Sequence, residues 1–342
     1  MKALIKAKPG AGLELTECPM PEMGPFDVLV QVKASSICGT DLHIKRWDPW
    51  AQKRLKPPLV VGHECAGEVV EVGSQVTDVI KGSVVALESH VTCGVCDMCR
   101  TGRRHLCRRT EILGVDRDGC FAEYVAVPAL NAWAMPQGVP IEIVALQENF
   151  GNAVHTAFTV DVRAKKVLVT GCGPVGLMSI AVCRAIGARA VYATDISEYR
   201  LKLARKIGAD IALNVNRDDV LQKIREATDG EGVDVLLEMS GADTALREGF
   251  DLVKPGGEVA LLGLPGHPVE FDFDNLLVFK GLSVHGVIGR LLWETWYQAR
   301  GLLRTGEVDL GPLITHQFPL ERFGEAFDLM ESGECGKVIL HP

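Results

Sequence analysis

The sequence predicts an α/β chain in two parts: a largely antiparallel β-barrel over residues 1–150, then a doubly wound parallel sheet over residues 151–290, with residues 291–342 returning to the first part. Two textures carry that division. Up to about residue 150, short β segments such as Asp27–Val32 and Glu68–Gly73 are joined by Gly and Pro turns, the pattern of a compact antiparallel sheet. From Lys165 onward apolar strands alternate with amphipathic helices, beginning with Lys166–Thr170, the Gly171–Gly176 turn and a helix through Ile186. A length of 342 residues exceeds one ordinary core and suits two domains.

Taken in order, Met1–Lys6 reads as a short alternating strand rather than the charged-then-apolar start of an export signal. The stretch Cys38-Gly39-Thr40-Asp41-Leu42-His43 then sets a thiol, a hydroxyl and an imidazole within six residues. Cys38 as a zinc ligand needs partners from elsewhere in the chain, and Gly62-His63-Glu64 supplies them. Glu64 either ligates directly or orients His63 from behind. Thr40 and His43 are spaced to carry a proton outward, because a hydroxyl there leads to a group that titrates near neutrality. Read as packing alone, Cys38 is a small buried hydrophobe and His63 merely ends a strand.

Cys93, Cys96, Cys99 and Cys107 follow with the spacing C-x2-C-x2-C-x7-C. Four thiolates so placed suit a closed tetrahedral zinc site that holds a lobe together and leaves no position for substrate. Iron–sulfur proteins share the two C-x2-C steps, but they close with a shorter spacing and a proline. Here the basic stretch Thr101–His105 intervenes, which favours zinc. Glu148 closes the first part beside an apolar run. If buried it needs a partner, which a metal would be; otherwise it is a solvent-facing acid near a helix start.

In the second part, Gly171-Cys172-Gly173-Pro174-Val175-Gly176 follows a strand and opens a helix, the setting in which G-x-G-x-x-G binds a dinucleotide. Its glycines let backbone N–H groups approach a pyrophosphate at the positive helix end. Asp195 ends the next strand, nineteen residues after Gly176. Its carboxylate suits ribose hydroxyls and repels a 2′-phosphate, so the reading is NAD rather than NADP, with Arg200 the nearby residue that argues the other way. The unit repeats at Val233–Glu238, Gly257–Gly263 and Leu282–Ile288, strands four to six of the sheet. Leu262, Gly263, Leu264, Val287 and Ile288 then stand at strand ends as walls for the nicotinamide, though plain core residues would look the same. The helix with Trp293, Trp296 and Tyr297 reads as packing.

Composition excludes several classes. A net charge of −8 lacks the basic face that nucleic acid or an anionic membrane requires, so the substrate is small. The uncharged runs Tyr124–Ile141 and Val167–Cys183 are broken by Pro and Gly and do not read as membrane spans. Eleven cysteines in a chain of this length suit a cytosolic protein with reduced thiols rather than a disulfide scaffold.

Taken together, Cys38–His43, Gly62-His63-Glu64, the Cys93–Cys107 cluster and the Gly171–Gly176 turn resemble the zinc-dependent medium-chain alcohol dehydrogenases along the whole chain. Within that family the resemblance to members that act on L-threonine is carried by Ile37–His43, Gly119–Tyr124, Phe150–Thr156 and Trp293–Tyr297. It implies a GroES-like catalytic barrel and a Rossmann domain. It also implies catalytic zinc on Cys38, His63 and Glu64, with Glu148 a ligand in some states or a partner in proton relay. A relay through Thr40 and His43, NAD contacts at Val175, Asp195 and Arg200, His90 at the substrate pocket, and a homotetramer follow from the same resemblance. Polyol or diol oxidation, or a non-catalytic NAD-binding protein, are the alternatives it leaves. Asn149, Ser83 and Cys172 depart from the family's usual Pro, Asp and Ala, and none of them removes a ligand.

Overall fold

Residue pairing between the strands Asp27–Ser36 and Glu64–Val72 sets the architecture of the first part, because their antiparallel register puts Ser36 opposite Glu64 and Ser35 opposite Cys65. The computed structural model describes all residues from Met1 to Pro342. They divide into one unit of Met1–Glu148 with Ile314–Pro342, and a second of Asn149–Leu313.

In the first unit a seven-stranded, mostly antiparallel sheet is joined by a three-stranded sheet containing Lys2–Lys6. Alternation sends Val28, Val30 and Val32 into a core shared with Leu4, Val69, Leu87, Phe121 and Phe327. The C-terminal strand Lys337–His341 pairs antiparallel with Asp27–Ser36 and parallel with Ile314–Pro319. That pairing brings the last residues of the chain beneath the Ser36–Glu64 pair. Gly62 just before Glu64 has φ +92°, and a Cβ there would come within 2.3 Å of the Phe121 ring. Only glycine fits this close approach.

The second unit is a six-stranded parallel sheet in the chain order 3-2-1-4-5-6, running Ile211–Asn214, Ala190–Asp195, Lys166–Thr170, Val233–Glu238, Val253–Leu261, Ser283–Gly286. Strand order reverses between the first and fourth strands, where a crevice opens at the carboxyl ends. The four-residue third strand carries too little apolar periodicity to be read from sequence. Strand five begins earlier than Gly257, and strand six stops before Val287 and Ile288.

One boundary differs from the sequence reading. Residues 291–313 belong to the second unit, and the return to the first begins at Ile314. The helix Glu294–Thr305 buries Trp296, Ala299 and Leu302 on one face, and Leu310 and Leu313 beyond it are fully buried, so the segment has a core of its own to join. No helix is long and apolar enough to cross a membrane.

Candidate active site

Donor atoms of Cys38, His63 and Glu64 all lie within 4.8 Å of one another, although strands and a turn distant in sequence deliver them. Cys38 stands at the start of the helix Gly39–Arg46, where its N–H donates to Asp41 Oδ2 at 2.8 Å. Asp41 is wholly buried, and its Oδ1 lies 3.5 Å from His63 Nδ1, an ion-pair distance without hydrogen-bond geometry. Burial alone would discharge His63, but Asp41 and Cys38 outweigh it and raise its pKa well above the usual histidine value. The same negative potential would attract a divalent cation.

Glu64 is completely buried. Its Oε2 accepts from both the Ser36 hydroxyl and the Lys337 ammonium, which fixes one edge of the carboxylate. Its Oε1 is buried with no hydrogen-bond partner. A buried carboxylate oxygen left bare is costly unless a cation meets it. One soft sulfur, one imidazole and one such oxygen form the mixed donor set that zinc accepts while keeping an open position, so these residues fit the metal. Sequence reasoning missed Ser36, Asp41 and Lys337. Asp41 could have been seen from its i+3 spacing to Cys38, whereas Lys337 lies 273 residues from Glu64 and left no local signal.

The other proton-handling residues fall into two groups. Thr40 Oγ1 is 3.8 Å from Cys38 Sγ, and His43 Nδ1 is 2.6 Å from Asp48 Oδ2 on the exposed side of the same helix. No hydrogen bond joins Thr40 to His43. Glu148, in the first turn of the helix Gln147–Thr159, is buried and accepts from the Ser89 hydroxyl at 2.6 Å. Ser89 Oγ is 3.3 Å from His90 Nδ1, and that nitrogen is 3.1 Å from Glu88 Oε1. Asn149, next to Glu148, buries a side-chain oxygen without a hydrogen-bond partner.

Cys93, Cys96, Cys99 and Cys107 gather their sulfurs within 4.8 Å, with Cys93 and Cys107 at 3.5 Å and Cys96 and Cys107 at 3.9 Å. A zinc ion about 2.3 Å from each sulfur sets tetrahedral S···S separations of roughly 3.8 Å, which these match. A multi-iron cluster would hold its cysteines further apart. Backbone N–H groups of Val95 and Cys96 pull the Cys93 thiol down to about 6, while burial and then neighbouring sulfurs push Cys99 up to about 12. Four sulfurs so close cannot all ionise without a cation between them.

In the second unit, the Gly171–Gly176 turn joins the first strand to the helix Pro174–Ala185. A Cβ on Gly176 would sit 1.9 Å from the Gly171 carbonyl oxygen, so the helix packs on the strand only with glycine there. A Cβ on Gly173 would meet nothing within 4 Å. Asp195 ends its strand with Oδ2 accepting from Cys172 N and Oδ1 from Ser197 N, each at 2.7 Å. A cavity of about 330 Å³ is lined by Gly171, Gly173, Asp195, Arg200 and Ser240 among others. Arg200 Nε is buried there without a hydrogen-bond partner. Val175 and Gly176 are not part of that lining. Leu262, Gly263, Leu264, Val287 and Ile288 lie at the ends of strands five and six, outside that lining. Leu264 and Ile288 are 89% and 60% exposed.

The family described as "Alcohol dehydrogenase GroES-like domain" matches residues 24–137, and "Zinc-binding dehydrogenase" matches residues 174–305. L-threonine 3-dehydrogenase of Bacillus licheniformis is 51% identical over 100% of this chain and 99% of its own length. The protein of the same name from Symbiobacterium thermophilum is 50% identical over 100% of this chain and 98% of its own. A solved structure described as a short chain alcohol dehydrogenase from Escherichia coli CFT073, complexed with NADH, superposes with a TM-score of 0.91 at 29% identity, covering 100% of this chain and 99% of that one. On these matches and the zinc-fitting donor sets, the chain belongs to the zinc-dependent medium-chain alcohol dehydrogenase family.

Proposed function

We propose that the protein oxidises the secondary hydroxyl of L-threonine, giving 2-amino-3-oxobutanoate with reduction of NAD to NADH. The observation that carries this reading is the Cys38, His63 and Glu64 cluster with its bare buried carboxylate oxygen. The relatives that are about half identical end to end support the substrate.

Cys38, His63 and Glu64 would hold the catalytic zinc, and Cys93, Cys96, Cys99 and Cys107 the structural one. When bound, the catalytic zinc supplies Lewis-acid polarisation that acidifies an alcohol near neutral pH. The chain's own residues do the remaining work. Lys337 and Ser36 hold one edge of Glu64 still, and Asp41 keeps the Cys38 and His63 backbone and ring in place. Thr40, His43, Glu148 and His90 are the groups available to take the hydroxyl proton or orient the substrate. Backbone N–H groups of the Gly171–Gly176 turn receive the cofactor pyrophosphate. Asp195 accepts from ribose hydroxyls and disfavours a 2′-phosphate, which selects NAD over NADP despite Arg200. Leu262–Leu264 with Val287 and Ile288 serve the nicotinamide half.

We read the working assembly as a homotetramer in the cytosol. Support comes from the open edge strand Ser283–Gly286, from the strong exposure of Leu264 and Phe279, and from thiols that must stay reduced to hold metal. The experiment is a panel of L-threonine, sorbitol and 2,3-butanediol with NAD and with NADP, run on the parent and on Cys38→Ser beside metal analysis. Threonine with NAD is expected to dominate, and Cys38→Ser to lose nearly all turnover while still binding NAD. Faster oxidation of a diol, or a Cys38→Ser variant as active as the parent, would overturn the reading.

A further inference from the structure

We propose that Glu238 is a positioning residue for the cofactor: its buried carboxylate fastens together the turns that receive NAD and acts through them. The proposal rests on the NAD-dependent reading above, since it concerns the chain's own residues around that group.

Placement argues for it first. Glu238 ends the strand Val233–Glu238 and pairs with Thr170, the last residue of Lys166–Thr170, where the strand order of the sheet reverses. It is 0% exposed and is not part of the cavity lining. Met239, Ser240 and Ala242, which follow it, do line that cavity, together with Gly171 and Asp195.

Its hydrogen bonds argue next. Glu238 Oε1 accepts from Ser240 N and Gly241 N, each at 2.9 Å, from the Ser240 hydroxyl, and from Thr170 Oγ1 at 3.4 Å. Oε2 accepts from Gly241 N at 3.2 Å. The Glu238 carbonyl accepts from Leu262 N and Gly263 N, each at 3.0 Å. One residue thus ties the end of strand one to the turns after strands four and five. The carboxylate's partners are neutral N–H and O–H donors, so it is held by geometry and not by a countercharge.

Close packing completes the argument. A Cβ on Gly171 would lie 2.9 Å from Ser240 N, one on Gly241 2.6 Å from the Leu264 carbonyl carbon, and one on Gly263 2.3 Å from Glu238 Oε2. The Gly171 turn, the Met239–Ala242 turn and the Leu262–Leu264 turn therefore meet with no room for a side chain at these contacts. Turns already fixed in this way need little ordering when a ligand arrives, and that preorganisation appears as affinity.

The test is Glu238→Gln, with binding of NAD and of ADP-ribose measured by calorimetry and threonine kinetics run alongside. The variant removes a negative charge beside the turn assigned to an anionic pyrophosphate, so charge alone predicts tighter binding. Positioning predicts the opposite, because an amide supplies one acceptor oxygen where the carboxylate has two, and its NH2 meets the Gly241 N–H. Kd for both ligands is expected to rise by about 10-fold, with KM for NAD rising in step and kcat at saturating NAD within about 3-fold of the parent. Gly263→Ala sets a methyl against the same Oε2 and is expected to raise both Kd values to a similar extent, which keeps the proposal testable should Glu238→Gln fail to fold. A parental or tighter Kd in either variant, with a melting curve that shows it folded, overturns the proposal. Binding of NAD to the parent is measured first. A parent that binds no NAD sinks the reading above, whereas a parent that binds it beside variants that bind it equally well sinks this proposal alone.

Discussion

At the scale of single residues, the centre depends on one ammonium. Lys337 is 1% exposed and donates to Glu64 and to the Ile37 carbonyl. Burial works against its charge, but Glu64 and Cys38 prevail and raise its pKa above the ordinary 10.5. A cation whose folded pKa is raised contributes fully below its unfolded pKa, so this pair is intact at neutral pH and is lost only as pH climbs past the lysine range. Replacing Lys337 by Met leaves Glu64 buried beside Ser36 alone, and breaking a buried pair costs about 3–5 kcal/mol. The zinc-free variant is thus expected to melt well below the zinc-free parent. Zinc should then raise its melting temperature by more than it raises the parent's, because the metal replaces the missing countercharge. Calorimetry with and without zinc checks this, and equal zinc-induced shifts would count against Glu64 as a ligand. Nothing near position 337 in the sequence announces the role, because the pairing that creates it spans two strands rather than a motif.

At the scale of elements, the cofactor turn separates packing from binding. Gly176→Ala would drive a methyl into the Gly171 carbonyl, so it is expected to destabilise the second unit and weaken NAD binding together. Gly173 has an extended backbone at the helix start and open space around its Cα. Gly173→Ala should therefore melt like the parent while the KM for NAD rises by about 10-fold or more, since the methyl occupies the space a pyrophosphate approaches through. Melting curves beside NAD titrations distinguish the two, and a Gly173→Ala variant with unaltered NAD affinity would remove the turn from the cofactor site. Such motifs were legible because their spacing is local: the glycine turn, the four cysteines and the Cys38–His43 stretch each lie within fifteen residues. The Glu88–His90 network escaped notice because Ser89 and Glu148 are 59 residues apart, and the third parallel strand because four residues show no period.

At the scale of the whole molecule, the division into an antiparallel unit and a parallel one was legible from the change of texture at Lys165. The point of return was not, since the apolar stripe of the Glu294–Thr305 helix looks the same whichever core it joins. Assembly is predicted from the sheet's free edge. Strand Ser283–Gly286 has a neighbour on one side only, and Val284 is 37% exposed. Such an edge in a lasting monomer is normally blunted by charge. Val284→Lys adds that charge and is expected to reduce the mass seen by analytical ultracentrifugation. A mass unchanged from a tetrameric parent would move the interface elsewhere.

The discontinuity of the first unit sets an order for biosynthesis. Residues 149–313 leave the ribosome as one uninterrupted block with every strand of their sheet present, whereas the barrel made before them still lacks its two closing strands. The half of the protein synthesised first is therefore the half completed last, and the carboxylate at its centre waits for a lysine made only after the whole second unit.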